Sequence, residues 1–510
     1  MADYDAIVIG SGAGGMSASL KLARCGFSVL LLEAMPAFGG YLNPFRRRNY
    51  TFNPGLHYLG ELAREDSFWR LLDELGIGEA VRFVELDPEG FDRYLFPDYE
   101  LRVCKGREHF IERLISDFPK EERGIEKFFE AFDKIIEAVK ASRSMEGEVL
   151  KMLSFMLKHP IMLRYSRVPY QRLLDEVTSD RRLQAALAAP CGSYGVPPAR
   201  ASVITAIMVW AHYLKGAYYP HGGGGALRDA FVKGLRKHGA ELKNRSRVVS
   251  INKQGGEFVV EIESDHRYTA RAVISDADPV ITLGRLVNPK LVAPRIKTKA
   301  SRMRPSAGAL CAFIGTDLDL PSIGITDANI IHYSDYDINK VYELFPVSRP
   351  PEDFPSFFIT SPSVKDPDGG HAPEGYHTIE IITGASYELF KKWANLPSGK
   401  RGDEYKALKE KMGERLIAAA ERYIPGLSQH LDLVEYATPL SNAYWVNAVR
   451  GGCYGPEHSP DQIGRGRFTS FTAGIDGLFL AGAGTIGCGV MPCVASGILA
   501  GGKAASYLEP

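Results

Sequence analysis

The sequence predicts an α/β protein in which the two ends of the chain combine into one discontinuous domain, interrupted by a helical insert and a mixed α+β domain. Three observations predict it. A short apolar strand, Ala6-Ile7-Val8-Ile9, runs straight into a glycine loop and a helix; a second apolar strand and glycine loop, Gly477 to Pro492, closes the chain; and the middle alternates between helical periodicity and short strands broken by turns.

Composition bounds the function classes. The chain has 510 residues, 61 basic and 61 acidic, with 45% hydrophobic and 24% charged residues, which suits a globular protein of two or three domains. A net charge of zero argues against a nucleic-acid partner, since phosphate neutralisation calls for a basic field. The cysteines, 25, 104, 191, 311, 453, 488 and 493, form no C-x-x-C pair and have no histidine at zinc spacing, so neither a disulfide framework nor a metal site is expected. A reducing, cytoplasmic compartment follows. The first strand leaves no room for a signal peptide, and no apolar run reaches the ~18 residues of a spanning helix, so membrane contact is expected at most to be peripheral, on the inner face.

The opening sixty residues carry the strongest pattern. After the strand come Gly10-Ser11-Gly12-Ala13-Gly14-Gly15 and a helix through Ala23, then the strand Val29–Leu32 and Glu33, 21 positions after Gly12. Strand, G-x-G-x-x-G, helix, strand and acid in this order are a dinucleotide fingerprint: Gly10 for the turn, Gly12 for approach to a pyrophosphate, Gly15 for helix–strand packing, and Glu33 for a ribose diol. Beyond Glu33-Ala34, the pair Gly39-Gly40 precedes Tyr41, an extension that resembles FAD-binding rather than NAD-binding proteins. FAD is the expected cofactor.

At the other end, Gly482-Ala483-Gly484 with Gly487 repeats the fingerprint formally, but the 23 residues that remain cannot build a second βαβ unit. The segment is instead expected to return to the first domain, with a helix starting near Pro492, beside Val490 and Met491, aiming its N-terminus at the flavin N1/C2 carbonyl.

With both ends read, the chain resembles the phytoene desaturase, carotenoid isomerase and retinol saturase group, within the amine-oxidase-like fold. Ala481 to Pro492 is similar to that group's C-terminal flavin signature. Phe52-Asn-Pro-Gly55-Leu56-His57-Tyr58-Leu-Gly60, Tyr194 to Pro198, His212 to Gly223, Gly399 to Tyr405, Pro439 to Asn442 and Arg450 to Gly455 are similar to retinol saturase segments, in the same order. The family's usual Asp in the F-D-x-G segment is Asn53 here. The resemblance implies an FAD-binding domain from 1–60, 211–290 and 435–510, a helical insert at 61–210 and a substrate domain at 291–434. It also implies that Gly55, Leu56 and His57 join the cofactor site, that the Val248 backbone meets the adenine edge, and that Ser275-Asp276-Ala277 passes near the nucleotide; as plain residues these read as ordinary sheet, for Ser275 equally well.

In the insert, Ile125, Phe128, Phe129, Phe132, Ile135, Ile136 and Val139 recur at helical spacing and predict a core helix. Residues 151–167 combine Met, Leu and Phe with Lys and Arg and contain no acid, which suits either a membrane-facing segment within 151–170 or a lining of the substrate cavity. Strands at Leu310–Ile314, Ser356–Thr360 and Thr378–Thr383 and a helix from Tyr405 to Tyr423 predict the substrate domain.

The chemistry implied is a flavin reaction on a carbon–carbon double bond of a retinoid, carotenoid or related polyene or isoprenoid lipid, with an electron donor or acceptor not identified by the sequence. Saturation leads; desaturation or cis–trans isomerisation are the alternatives within the group, and non-catalytic prenyl-lipid binding is the alternative of another class. His57, Tyr58 and Tyr219 are the candidate catalytic residues, among polar positions that also include Tyr218, His221, Asn442 and Tyr454.

Overall fold

A computed structural model describes residues 2–142, 155, 157–345, 351, 353–468 and 473–509. In the first of its sheets, Tyr4–Ile9 lies parallel between Val29–Leu32 and Arg267–Ser275, and Glu241–Lys243 extends the edge beside Val29–Leu32. Ala6, Ile7 and Val8 are wholly buried, as a strand covered on both faces requires. The far edge of Arg267–Ser275 is shared. Its first half pairs antiparallel with Glu257–Ile262, itself paired with Val248–Gln254, while its last three residues pair parallel with Leu478–Leu480. Start, middle and end of the chain therefore meet in one sheet.

The helix Ala13–Arg24 leaves the first strand and packs along the C-terminal helix Val490–Leu508, which begins two residues before the expected Pro492. Glycines make this approach close: a Cβ on Gly497 would overlap the Gly14 carbonyl oxygen, and one on Gly501 would come within 2.9 Å of the Ala18 carbonyl. Four residues apart, the two share one helix face.

The second sheet runs Leu431–Ala437, Gly308–Thr316, His377–Ala385, Ser356–Thr360, Asn329–Tyr333, Asp92–Leu95 and Glu100–Val103. Two of its strands thus come from the stretch read as helical insert, because strands of four residues are too short to show a period against the helices around them. Leu431–Ala437 likewise runs across the expected boundary at 434. The helix Glu122–Ser142 buries Ile125, Phe128, Phe129, Phe132 and Ile135, the face its spacing indicates. Residues 151–154 and 156 of the expected segment 151–170 lie outside the described residues; Pro160–Tyr165 is a short helix on which Leu163 is exposed.

Candidate active site

A cavity of about 1700 Å³ runs from the glycine loop of the first sheet to the inner face of the second. At its nucleotide end, Gly10 takes φ 91°, a left-handed conformation that a side chain would strain, and turns the chain into the helix Ala13–Arg24. Gly15 answers a different demand: its Cβ would overlap the Gly10 carbonyl oxygen. The helix has no acidic residue in its first turn, so its N-terminal N–H groups face the cavity as an anion site. Glu33 is buried at the cavity wall, held by the Ser11 N–H at 3.0 Å, the Ser11 hydroxyl at 2.5 Å and the Met35 N–H at 2.8 Å. A fixed carboxylate there can accept ribose hydroxyls.

Asp276 closes this end from the strand side. Its carboxyl is buried against the N–H groups of Gly12 and Gly15, and burial, with the charge of Glu33 adding to it, pushes its pKa up to about 7. The same N–H groups serve a pyrophosphate, so an ionised Asp276 competes for them and repels the ligand. FAD affinity is therefore expected to be highest below neutral pH, where Asp276 is neutral, and to fall by up to about tenfold per pH unit above it. Asp276→Asn should flatten that dependence in a fluorescence titration of FAD binding; a pH-independent wild type would contradict it.

Further along, Ala34, Gly39, Gly40 and Tyr41 line one wall, Gly55, Leu56 and His57 a second, and Ser246, Arg247 and Val248 a third, while Ala483, Gly484, Val490 and Met491 bring the N-terminus of the C-terminal helix to the cavity. Apart from Ser246 and Arg247, which the sequence did not single out, these are residues expected at the cofactor, and three others expected there are not in the lining. Ser275 lies beneath the wall, its hydroxyl 2.8 Å from that of Thr282, and its neighbour Asp276 faces the cavity in its place. Gly482 and Gly15 stand behind the lining, Gly482 backing Asp276 and Gly15 packing on Gly10.

Beyond the nucleotide end the wall becomes aromatic and aliphatic, with Tyr94, Met208, Tyr213, Ile331, Tyr333, Phe357 and Phe358 among its residues. His57 and Tyr58 stand at the junction. The His57 Nδ1 lies 3.0 Å from Oε2 of Glu380, out of line for a hydrogen bond, and its ring rests against Phe358. Tyr58 stacks on Tyr213 with ring centres 4.5 Å apart and donates its hydroxyl to Asp92 at 2.8 Å. Behind them Lys365, 2% exposed, donates to the His57 carbonyl at 3.0 Å, to the Thr360 hydroxyl at 2.6 Å and to the Asn329 side-chain oxygen. Burial pushes Lys365 below the usual lysine range and Asp92 above the usual carboxylate range.

Of the polar candidates, His57, Tyr58, Asn442 and Tyr454 reach the cavity. Tyr219 does not: it is wholly buried behind the wall, with its hydroxyl accepting from the Asn53 amide at 3.1 Å. Asn53 itself also accepts the Gly224 N–H at 3.0 Å, so its amide both donates and accepts, which an ionised Asp could not do. Tyr218 bonds to Lys105 and Glu85, and His221 to Asp366, both away from the lining. Sequence reading missed Asp92, Asn329, Lys365 and Glu380, and named Asp276 only as a neighbour of Ser275 in the stretch expected near the nucleotide. Among the described residues no group of His, Cys, Asp and Glu could hold a metal ion.

The buried Glu33 carboxylate, the helix N-terminus at Ala13 and Gly14, and the glycine-lined approach between them fit FAD; the helix at Val490 and Met491 would face its ring system. Fold and site together define a flavin-dependent oxidoreductase. Residues 13–503 match the flavin containing amine oxidoreductase family, and the chain belongs to that family, with FAD as its cofactor. Similar proteins include the all-trans-retinol 13,14-reductase of Rattus norvegicus, 28% identical over 97% of this chain and 84% of that protein. The chloroplastic prolycopene isomerase of Arabidopsis thaliana is 28% identical over 99% and 83%. An oxidoreductase structure from Methanosarcina mazei superposes with a TM-score of 0.63 at 15% identity, over 98% of this chain and 99% of that one.

Proposed function

We propose that the protein is an FAD-dependent reductase that saturates a carbon–carbon double bond in a hydrophobic polyene of the retinoid or carotenoid class. The observation that carries this reading is the continuity of the nucleotide site with the aromatic chamber. At about 1700 Å³ the cavity exceeds the roughly 300–1,000 Å³ of ordinary ligand pockets, leaving room for an elongated lipid beside the cofactor. The relatives named for retinol reduction and prolycopene isomerisation point to the same substrate class.

The bound flavin supplies hydride transfer. The chain's own residues then have three tasks. Glu33 and the helix N-terminus hold the nucleotide; Tyr94, Tyr213 and Phe358 hold the polyene in an apolar, water-poor chamber; and polar groups at the junction handle the proton. Isomerisation by the same site is the second reading, favoured by the isomerase relatives.

The mouth supports contact with a lipid surface. Tyr444, Trp445 and Ile486 line the cavity and are exposed, Trp445 by 53%, and Arg167 and Arg465 lie in the same lining. Among the described residues no helix is long and apolar enough to cross a membrane. The test is anaerobic incubation of the reduced enzyme with all-trans-retinol in anionic vesicles. A product heavier by one H2, with enzyme sedimenting on the vesicles, is expected. Unchanged mass with altered double-bond geometry would replace saturation by isomerisation, and a purified protein that takes up no FAD would leave only lipid binding.

A further inference from the structure

We propose that Tyr58 delivers the proton that saturation requires, that Asp92 behind it is the acid that restores Tyr58, and that Asn329 and Lys365 position Asp92. The inference rests on the polyene-reductase reading and identifies how its site is supplied with protons.

Hydride addition to one carbon of a double bond leaves a pair of electrons on its neighbour, which needs a proton in a chamber lined by apolar groups. Tyr58 presents its ring to that chamber and its hydroxyl to Asp92, so it stands between the cavity and the buried acid. Asp92 is 1% exposed. Its Oδ2 receives Tyr58 at 2.8 Å and Tyr94, on its own strand, at 3.5 Å; its Oδ1 receives the Asn329 amide at 2.7 Å from the neighbouring parallel strand. The Asn329 oxygen in turn takes Lys365, the nearby cation, and Tyr213 faces the group from the helix Val203–Tyr213. A fixed amide thus holds Asp92 in position.

The direction of hydrogen bonding makes the pair a relay. When Asp92 is ionised it only accepts, and the Tyr58 hydrogen points at it. When Asp92 is protonated its O–H can donate to the Tyr58 oxygen, which frees the Tyr58 hydrogen to turn toward the cavity. Burial raises the Asp92 pKa, so this protonated form is populated well above the usual carboxylate range, while Tyr58 is pushed well above its ordinary value and keeps its proton until a basic carbon demands it. In the step, the alkene π bond breaks and two C–H bonds form. One takes the hydride of the reduced flavin, which is oxidised; the other takes the Tyr58 proton. The phenolate then recovers a proton from Asp92, and solvent restores the acid before the next turnover.

The experiment combines a probe of the acid with a probe of the chemistry. In the holoenzyme, the infrared difference spectrum between the wild type and Asp92→Asn should contain a carboxylic-acid carbonyl band that titrates above the usual carboxylate range, while the band of buried Asp276 is common to both and cancels. In anaerobic single turnovers, Tyr58→Phe should slow reoxidation of the reduced flavin by all-trans-retinol about 100-fold, with the flavin spectrum unchanged. Asp92→Asn should slow it and remove its pH dependence. A wild-type rate in Tyr58→Phe, or a difference spectrum without that carboxylic band, overturns the relay. A wild-type flavin that retinol cannot reoxidise overturns the substrate reading instead, and the infrared band still reports whether Asp92 stores a proton.

Discussion

Replacing Glu380 with alanine is expected to destabilise the protein by about 3–5 kcal/mol, the cost of breaking a buried charge network from one side. Glu380 sits on His377–Ala385, between Gly308–Thr316 and Ser356–Thr360, and is wholly shielded from water. One carboxylate oxygen accepts the Asn53 N–H at 2.7 Å, and the other lies 3.0 Å from His57 Nδ1. Its charge also supports buried Lys365. Alanine would leave the Asn53 N–H without its acceptor and Lys365 with less compensating charge. Because Asn53 leads into Gly55, Leu56 and His57 on the cavity wall, loosened flavin should accompany the loss. Glu380→Gln keeps an acceptor for Asn53 and should cost less, about 1.5–3 kcal/mol. Urea unfolding followed by flavin fluorescence checks both variants; an alanine variant as stable as the glutamine one would remove the hydrogen-bond argument, and a glutamine variant as stable as the wild type the charge argument.

The same residue shows what the sequence could and could not reveal. The nucleotide half was legible because its chemistry is local. Gly10 to Gly15 and Glu33 fall within one strand–helix–strand unit, and each residue type there meets a backbone or charge demand that few others meet. The buried cluster is assembled from Asp92, Asn329, Lys365 and Glu380, which lie far apart in the chain and each look ordinary in place. Lys365 opens a run, Lys365-Asp-Pro-Asp-Gly-Gly370, that reads as a surface turn, yet its ammonium is buried. Asn329 and His332 break the apolar character of a strand that is buried throughout, so Asn329–Tyr333 escaped notice. Glu380 alone carried a signal: strand alternation places it on one face with Thr378 and Ile382, an acid where a core residue belongs.

Ser275 illustrates a finer limit. The strand ending there was foreseen, and Ser275-Asp276-Ala277 was expected beside the nucleotide as one stretch. Which of two successive side chains faces the ligand depends on register, and a shift of one residue exchanges faces. The structure sets Ser275 against Thr282 and turns Asp276 toward the helix N-terminus. The glycine excess at the chain ends has a similar resolution. Part of it serves the ligand, and part serves the contact between the first and last helices.

That second role predicts the other large effect: Gly497→Val should yield protein without bound flavin. Gly497 lies in the middle of the C-terminal helix, remote from the cofactor loop in sequence, and does not line the cavity. A Cβ there would overlap the Gly14 carbonyl oxygen and meet the Ser17 Cβ at 2.7 Å. Neither neighbour is a flexible side-chain tip, so the opening helix must move as a body. Overpacking of this kind costs about 1–3 kcal/mol in stability. Its functional effect is larger, because the first turn of the displaced helix carries Ala13 and Gly14 of the nucleotide loop, and phosphate N–H geometry tolerates little shift. Gly502→Ala, five residues on in the same helix, is the control: its Cβ meets nothing within 4 Å, and alanine should add up to about 1 kcal/mol through helix propensity. The ratio of flavin to protein absorbance after purification separates the two. Gly502→Ala should purify yellow and Gly497→Val colourless; a flavin content in Gly497→Val equal to wild type would mean that the spacing of these two helices does not set the nucleotide loop.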